Sequence, residues 1–227
     1  ALFAAASLVL AASFAPVAAG VQQAPDTAQP GPFVVGHMSI MFEDPERPCD
    51  LGPRPIPVEL FYPVDPSAVD SASAEAIFPL DPINGVWPET YSSDWEPYGH
   101  DRAYEGATPS SSGPFPLVLF SPGWGGPIWG HNFLAGRLAT HGIVVAVMYH
   151  YGDAFFPGEQ FDHISVACLN RPLDVSFVLT QLLTKNASPG DSIQGLVDPD
   201  QIAASGWSLG GFSAMALAGG VDNLGFN

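Results

Sequence analysis

The run Gly206-Trp207-Ser208-Leu209-Gly210 constrains the fold of this chain more than any other feature. A serine with glycines two positions before and two after it is typical of a nucleophile elbow, a sharp strand-to-helix turn that exposes the serine. The turn crowds the two glycine positions together, so little beyond glycine fits there. The pattern therefore predicts a strand that ends before Ser208, a helix that begins after it, and Ser208 as the catalytic nucleophile.

The sequence on both sides of Ser208 agrees with this turn. Residues 198–205 form a turn followed by a short apolar strand, and residues 209–218 form a small-residue helix pattern that could pack close to a sheet. Backbone N–H groups at the start of this helix would point at an anion formed beside Ser208. The alternative is a glycine-rich turn without chemistry, and the flanking context favours the elbow.

Length and charge limit the class of protein. A chain of 227 residues with 47% hydrophobic residues suits one α/β domain with a sizeable core. The net charge of −17, with Lys185 as the only lysine, argues against a nucleic-acid partner and against docking on anionic lipid. A small-molecule partner is expected, and the acidic surface is otherwise explained by solvation alone.

The N-terminal segment resembles a secretory signal peptide. Residues 1–19 are apolar and end in the small residues Val17-Ala18-Ala19, a plausible cleavage site. We therefore expect a secreted or periplasmic domain over residues 20–227, with no stable membrane span in the mature chain. The sequence lacks an initiator Met and a basic region before Leu2, so we expect it to be truncated at this end. An exported protein can form disulfides, and Cys49 and Cys168 are the only cysteines; a bond between them and two free thiols both remain open.

The rest of the chain alternates strand and helix patterns, which predicts an α/β fold with a mostly parallel sheet and flanking helices. Residues 34–42 and 56–62 predict an antiparallel opening pair, and residues 116–121 and 143–149 predict buried strands. Helices are predicted over residues 128–140 and 170–185, the second with Asn170 as its cap and Pro172 in its first turn. Residues 63–115 predict a long loop or cap. Its aromatic stretch 87–104 is expected to cover the substrate entrance, and the alternative is a remote surface loop packed on the sheet edge.

Five segments together resemble the α/β-hydrolases related to platelet-activating-factor acetylhydrolase and to predicted dienelactone hydrolases. They are Gly31-Pro-Phe-Val-Val-Gly-His, Arg54-Pro-Ile-Pro-Val-Glu-Leu-Phe-Tyr-Pro, Leu119-Phe-Ser-Pro-Gly-Trp-Gly-Gly, Asn170-Arg-Pro-Leu-Asp-Val-Ser-Phe-Val-Leu and Gly206-Trp-Ser-Leu-Gly-Gly. The resemblance implies a serine esterase that needs no metal or cofactor and acts on small or short-acyl carboxylic esters. True dienelactone hydrolases have a cysteine nucleophile, so Ser208 favours the esterase side.

The resemblance also implies an oxyanion hole made of two backbone N–H groups. One is that of Leu209, directly after the nucleophile, and the other is that of Trp124, in a glycine-rich loop after a strand. Attack on an ester places negative charge on the carbonyl oxygen, which two fixed amides stabilise. Many relatives have histidine where this chain has Pro122, which is a departure from the pattern in this loop.

The triad partners are the main departure from the family. In this fold the acid and the histidine follow the serine in the order Ser, Asp, His. All six histidines of this sequence precede Ser208, and Asp222 is the only acid after it. We therefore expect a fragment that stops before the last strands and is inactive alone, with His150 as the least unfavourable internal base. The alternatives are a dienelactone or polyester hydrolase that uses the same serine, and a non-catalytic hydrolase-like binding domain.

Overall fold

The computed structural model describes residues 29–70, 103–126, 131–153 and 159–219. The described elements, in chain order, are β1 (Val34–Cys49), β2 (Gly52–Val64), a short 3-10 turn (Pro66–Ala68), β3 (Ala103–Glu105), β4 (Phe115–Ser121), α1 (Asn132–Thr140), β5 (Val144–Met148), α2 (Ile164–Ala187), β6 (Val197–Gly206) and α3 (Leu209–Leu217). Among the described residues, no helix is long and apolar enough to cross a membrane.

The six strands form one mixed sheet in the order β3-β1-β2-β5-β4-β6. β2 pairs antiparallel with both β1 and β5, whereas β4 runs parallel to its neighbours β5 and β6. The pairing of Ser121 with Gly206 brings the carboxyl ends of β4 and β6 side by side. Because loops after adjacent parallel strands meet at one edge of the sheet, this register places the two predicted site segments together.

Both faces of the central strands are buried, as their continuous apolar runs predict. On β5, Val144, Ala146 and Met148 belong to one core cluster, whereas Val145 and Val147 belong to the other. α2 packs on the first cluster through residues that include Val175, Val178 and Leu182, and α1 packs on the second through Ala135 and Ala139. The predicted α/β class, with helices flanking a sheet, is confirmed.

Two elements extend beyond their predicted bounds. The opening hairpin continues through the proline-rich stretch between its two predicted strands, with a register irregularity between Asp44 and Cys49. The irregularity absorbs the prolines, which cannot donate to a regular ladder. The second helix begins at Ile164 rather than Asn170, and Pro172 lies inside it. The His163 ring caps the new start by accepting from Ser165 N–H, a role that residue type alone did not suggest.

The segment over residues 63–115 is only partly a loop. Residues 103–105 form β3, which pairs parallel with β1 at the sheet edge opposite β6. Because β3 and β6 lie at opposite edges of the sheet and Ser208 follows β6, the Tyr104 end of the predicted cap lies away from Ser208. The rest of the aromatic stretch and the signal peptide lie outside the described residues, and both stay predictions. Cys49 and Cys168 are free thiols.

A buried histidine joins three strands at this far edge. His37 on β1 is fully buried and lies 2.6 Å from a carboxylate oxygen of Glu59 on β2 and 2.6 Å from one of Glu105 on β3. Burial alone would lower the pKa of His37, but hydrogen bonds and charge interactions with Glu105 and Glu59 outweigh burial and raise it. The imidazolium form is thus the one that the folded state favours.

We expect this cluster to make stability depend on pH. Because the pKa of His37 is higher in the folded than in the unfolded state, its contribution is complete below the unfolded value of about 6.5 and is lost as pH rises through the folded value. Urea unfolding at a series of pH values should show a decline in stability with rising pH that His37→Gln removes. His141→Gln, at the end of α1, is the matched control and should keep the decline. An undiminished decline in His37→Gln would contradict the assignment.

Candidate active site

Ser208 occupies the turn between β6 and α3 in a backbone conformation that residues other than glycine rarely adopt. Its φ is 53° and its ψ is −117°, and it is the only non-glycine residue with positive φ in the part of the chain that the structure describes. A strained backbone of this kind persists only where the surrounding structure holds it, and such residues cluster at functional sites. Ser208 is also exposed, as an attacking hydroxyl must be. These are the features that the sequence predicts for an elbow.

The two elbow glycines are required by contact with the end of β4. A Cβ on Gly210 would lie 1.8 Å from the Ser121 carbonyl oxygen, and one on Gly206 would lie 2.5 Å from the same atom and 2.4 Å from the Gly210 carbonyl carbon. No side chain fits at either position without moving backbone. The Ser121 carbonyl also accepts a hydrogen bond from Trp207 N–H at 3.1 Å. The turn is therefore packed directly on the end of β4.

The structure brings the predicted oxyanion loop against the elbow. A Cβ on Gly123 would lie 3.5 Å from the Ser208 Cβ, so residues 122–126 run beside the serine. Leu209 is the first residue of α3, where backbone N–H groups have no partner within the helix. Among the described residues, neither the Trp124 nor the Leu209 N–H donates to another backbone group. The predicted donors therefore adjoin Ser208: Leu209 follows it directly, and Trp124 follows Gly123.

No histidine contacts Ser208 within the described part of the chain. His150, which the sequence leaves as the least unfavourable internal base, instead lies beneath the elbow. Its Nε2 is 2.8 Å from the Ser121 Oγ and its Nδ1 is 3.0 Å from an Asp174 oxygen. His100 and Asp222 lie outside the described residues. The structure therefore gives His150 a partner serine, but it is Ser121 rather than Ser208.

The Ser121, His150 and Asp174 side chains form a buried polar chain. All three are at most 1% exposed, which leaves no route for an ester to reach the Ser121 hydroxyl. Burial, assisted by the charge of Arg171, lowers the pKa of His150, so its ring is neutral. A neutral ring donates from Nδ1 to Asp174 and accepts from the Ser121 hydroxyl at Nε2. These three residue types are those of a catalytic triad, but their burial indicates that they support the turn at Ser208 and do not react with substrate.

Asp174 is held ionised by cationic partners. Arg54 donates to both of its oxygens, at 2.8 and 3.0 Å, and Arg47 Nη1 lies 2.8 Å from one of them. Burial alone would raise the pKa of Asp174, but the hydrogen bond from His150 and the hydrogen bonds and charge of Arg54 lower it. Local sequence patterns do not reveal this group, because its members are far apart in the chain. One signal in the sequence points to a buried polar group. It is the Arg-Pro-Leu-Asp run that ends at Asp174, which places charged residues in a helix that otherwise has the pattern of a core helix.

The sheet order, the helices on both faces and the strand-turn-helix around Ser208 define the α/β-hydrolase fold. The structure is similar to the ferulic acid esterase from Streptomyces cinnamoneus, with 25% identity and a TM-score of 0.59. The match covers 85% of this chain and 57% of the esterase chain, so this chain spans little more than half the length of that enzyme. No family model matches the sequence, and no curated protein does. A specific relation to platelet-activating-factor acetylhydrolase or dienelactone hydrolase stays a prediction.

The glycine contacts give a direct test of the elbow. Gly210→Ala forces its Cβ into the Ser121 carbonyl, so we expect the variant to lose several kcal/mol of stability or fail to fold. Gly211→Ala is the matched control: its Cβ would lie 3.4 Å from the Gly206 oxygen, ordinary contact, and alanine favours the helix by up to about 1 kcal/mol. Thermal unfolding of the two variants measures the difference. Equal melting temperatures would show that the turn is not packed as described.

Proposed function

We propose that this chain forms the nucleophile-bearing part of a serine esterase that cleaves carboxylic esters of the short-acyl or acetyl type. The observation that carries the proposal is the exposed Ser208 in its strained turn, beside two backbone N–H groups without a backbone partner among the described residues. The Ser208 hydroxyl would attack the ester carbonyl and form an acyl-enzyme, releasing the alcohol. Water would then release the acid. The Trp124 and Leu209 amides would bind the oxyanion in both steps.

The mechanism also needs a base and an acid that orients it. We propose that both follow Ser208, in the order acid then histidine that this fold uses, in the part of the esterase length that this chain does not span. His150 is committed to Ser121 and Asp174 and would have to break both bonds to serve Ser208. On this proposal, the 227 residues alone are inactive, and activity belongs to a protein that supplies the two partners.

Similarity to a ferulic acid esterase supports a carboxylic ester as the substrate. The strongly acidic composition supports a small-molecule substrate over a nucleic-acid partner, and the N-terminal segment supports an exported enzyme. A dienelactone or polyester hydrolase would use the same serine and differ in the loops that shape the pocket. A non-catalytic binding domain would keep the fold without turnover, so an activity measurement separates it from the esterase.

The proposal predicts the behaviour of two serine variants. In the protein that contains this sequence, Ser208→Ala should reduce hydrolysis of p-nitrophenyl acetate and methyl ferulate by several powers of ten, because the attacking group is lost. Ser205→Ala, at an exposed position of β6, is the matched control and should keep wild-type kcat. Hydrolysis that survives in Ser208→Ala, or an inactive wild type, would contradict the esterase assignment. The ratio of rates on the two substrates reports the acyl preference.

A further inference from the structure

We propose that Arg171 and Asp153 are positioning residues for the oxyanion hole: their ion pair holds the loop after β4 so that the Trp124 N–H stays aimed at the substrate oxygen. The inference rests on the proposed function, since it assigns a purpose to the Trp124 amide. Its basis is a set of contacts separate from the Ser121, His150 and Asp174 chain. Neither Arg171 nor Asp153 touches Ser208 among the described contacts.

Arg171 binds the carbonyls of two successive loop residues. Its Nη1 donates to the Pro122 oxygen at 2.8 Å, and its Nη2 donates to the Gly123 oxygen at 3.1 Å. The Gly123 oxygen also accepts from Gly126 N–H at 2.9 Å, which closes the turn. Guanidinium hydrogen bonds are charge-assisted and stronger than neutral ones. The carbonyl side of the loop is therefore fixed at both peptides.

Fixing the Gly123 carbonyl also fixes the Trp124 N–H, because the two belong to one planar trans peptide. In such a peptide the C=O and the N–H point in opposite directions. With the oxygen turned to Arg171, the Trp124 N–H points away from α2 and is left without a backbone partner among the described residues. The neighbouring Gly123 approaches the Ser208 Cβ. Arg171 thus sets the direction of an amide that it does not touch.

Arg171 is itself held rigidly. It is 1% exposed, and its Nη2 lies 2.6 Å from an oxygen of Asp153, which is 5% exposed. Asp153 forms a bridge with Phe161, whose ring packs at 5.6 Å from the Trp124 ring. Asp153, which binds Arg171, and Phe161, which packs on Trp124, are therefore paired with each other. A buried charge without its partner is strongly unfavourable, so the pair keeps the guanidinium in place.

A lysine cannot reproduce this arrangement. The guanidinium presents its donors in a fixed planar fork that reaches two carbonyls and a carboxylate, whereas an ammonium is a single point charge. Arg171→Lys keeps the charge opposite Asp153 and frees at least one loop carbonyl. Asp153→Asn keeps an acceptor for Arg171 and removes the charge. Arg137→Lys, in the last turn of α1 and outside the site, is the matched control for the arginine-to-lysine change.

The test compares these variants in the protein that contains this sequence. Displacing one oxyanion donor should lower kcat of Arg171→Lys by about 10- to 100-fold while KM changes little, because the donor acts on the transition state. Binding of an aryl trifluoromethyl ketone, whose adduct with serine carries an oxyanion, should weaken by a similar factor. Binding of an ether analogue of the substrate, which offers the two amides no carbonyl oxygen, should be unchanged. Asp153→Asn should show the same pattern with a smaller loss, and Arg137→Lys should show none.

The outcomes separate this inference from the function on which it rests. If the wild type hydrolyses esters through Ser208 but both site variants keep its kcat and its ketone affinity, the positioning role is overturned and the esterase stands. If the losses fall equally on ketone and ether-analogue binding, the residues are merely structural and the inference is again overturned. An inactive wild type overturns both proposals. Where Arg171→Lys does not fold, Asp153→Asn decides by the same readouts.

Discussion

The Ser121 carbonyl accepts a hydrogen bond from Trp207 N–H and lies against the positions of Gly206 and Gly210, and the geometry around Ser208 depends on this contact. It joins the ends of two parallel strands, and it leaves no room for side chains on either side of the serine. A turn with φ of 53° at Ser208 is costly alone. The close packing on β4 supplies the support that keeps it, at the point where the sheet register already brings the two strand ends together.

The same residue connects the turn to the buried charges beneath it. The Ser121 hydroxyl donates to His150, and His150 donates to Asp174. Asp174 also accepts a hydrogen bond from Arg54. A buried charged group of this kind is often no more stabilising than apolar residues of the same size would be, because removing charges from water is unfavourable. Removing one member is costly, however, typically about 3–5 kcal/mol for a broken buried pair. The network therefore favours one arrangement of β4, β5 and α2 over others, which suits a site that needs fixed geometry.

The parts of the site that sequence could predict are those determined by neighbours along the chain. The elbow follows from two glycines around Ser208, and the loop at Trp124 follows from glycines after an apolar strand. The support for the site could not be predicted in this way. His150 and Asp174 meet only because the end of β5 and α2 pack together. The true start of α2, six residues before Asn170, also lacks a signal in the helical pattern of the sequence. Pairings across long separations depend on tertiary packing, which a single sequence does not encode in local spacing.

In the described part of the chain, two serines could be taken for a nucleophile: Ser121, which has a histidine and an aspartate but is buried, and Ser208, which is exposed and strained. We propose Ser208 as the nucleophile because access and backbone geometry outweigh a triad-like composition. Mapping the adduct of a fluorophosphonate by peptide mass spectrometry tests this most directly, since tryptic cleavage places Ser121 in residues 103–137 and Ser208 in a peptide that begins at residue 186. We expect the adduct on Ser208 alone. An adduct on Ser121, or an unmodified Ser208 in an ester-hydrolysing preparation, would contradict the account.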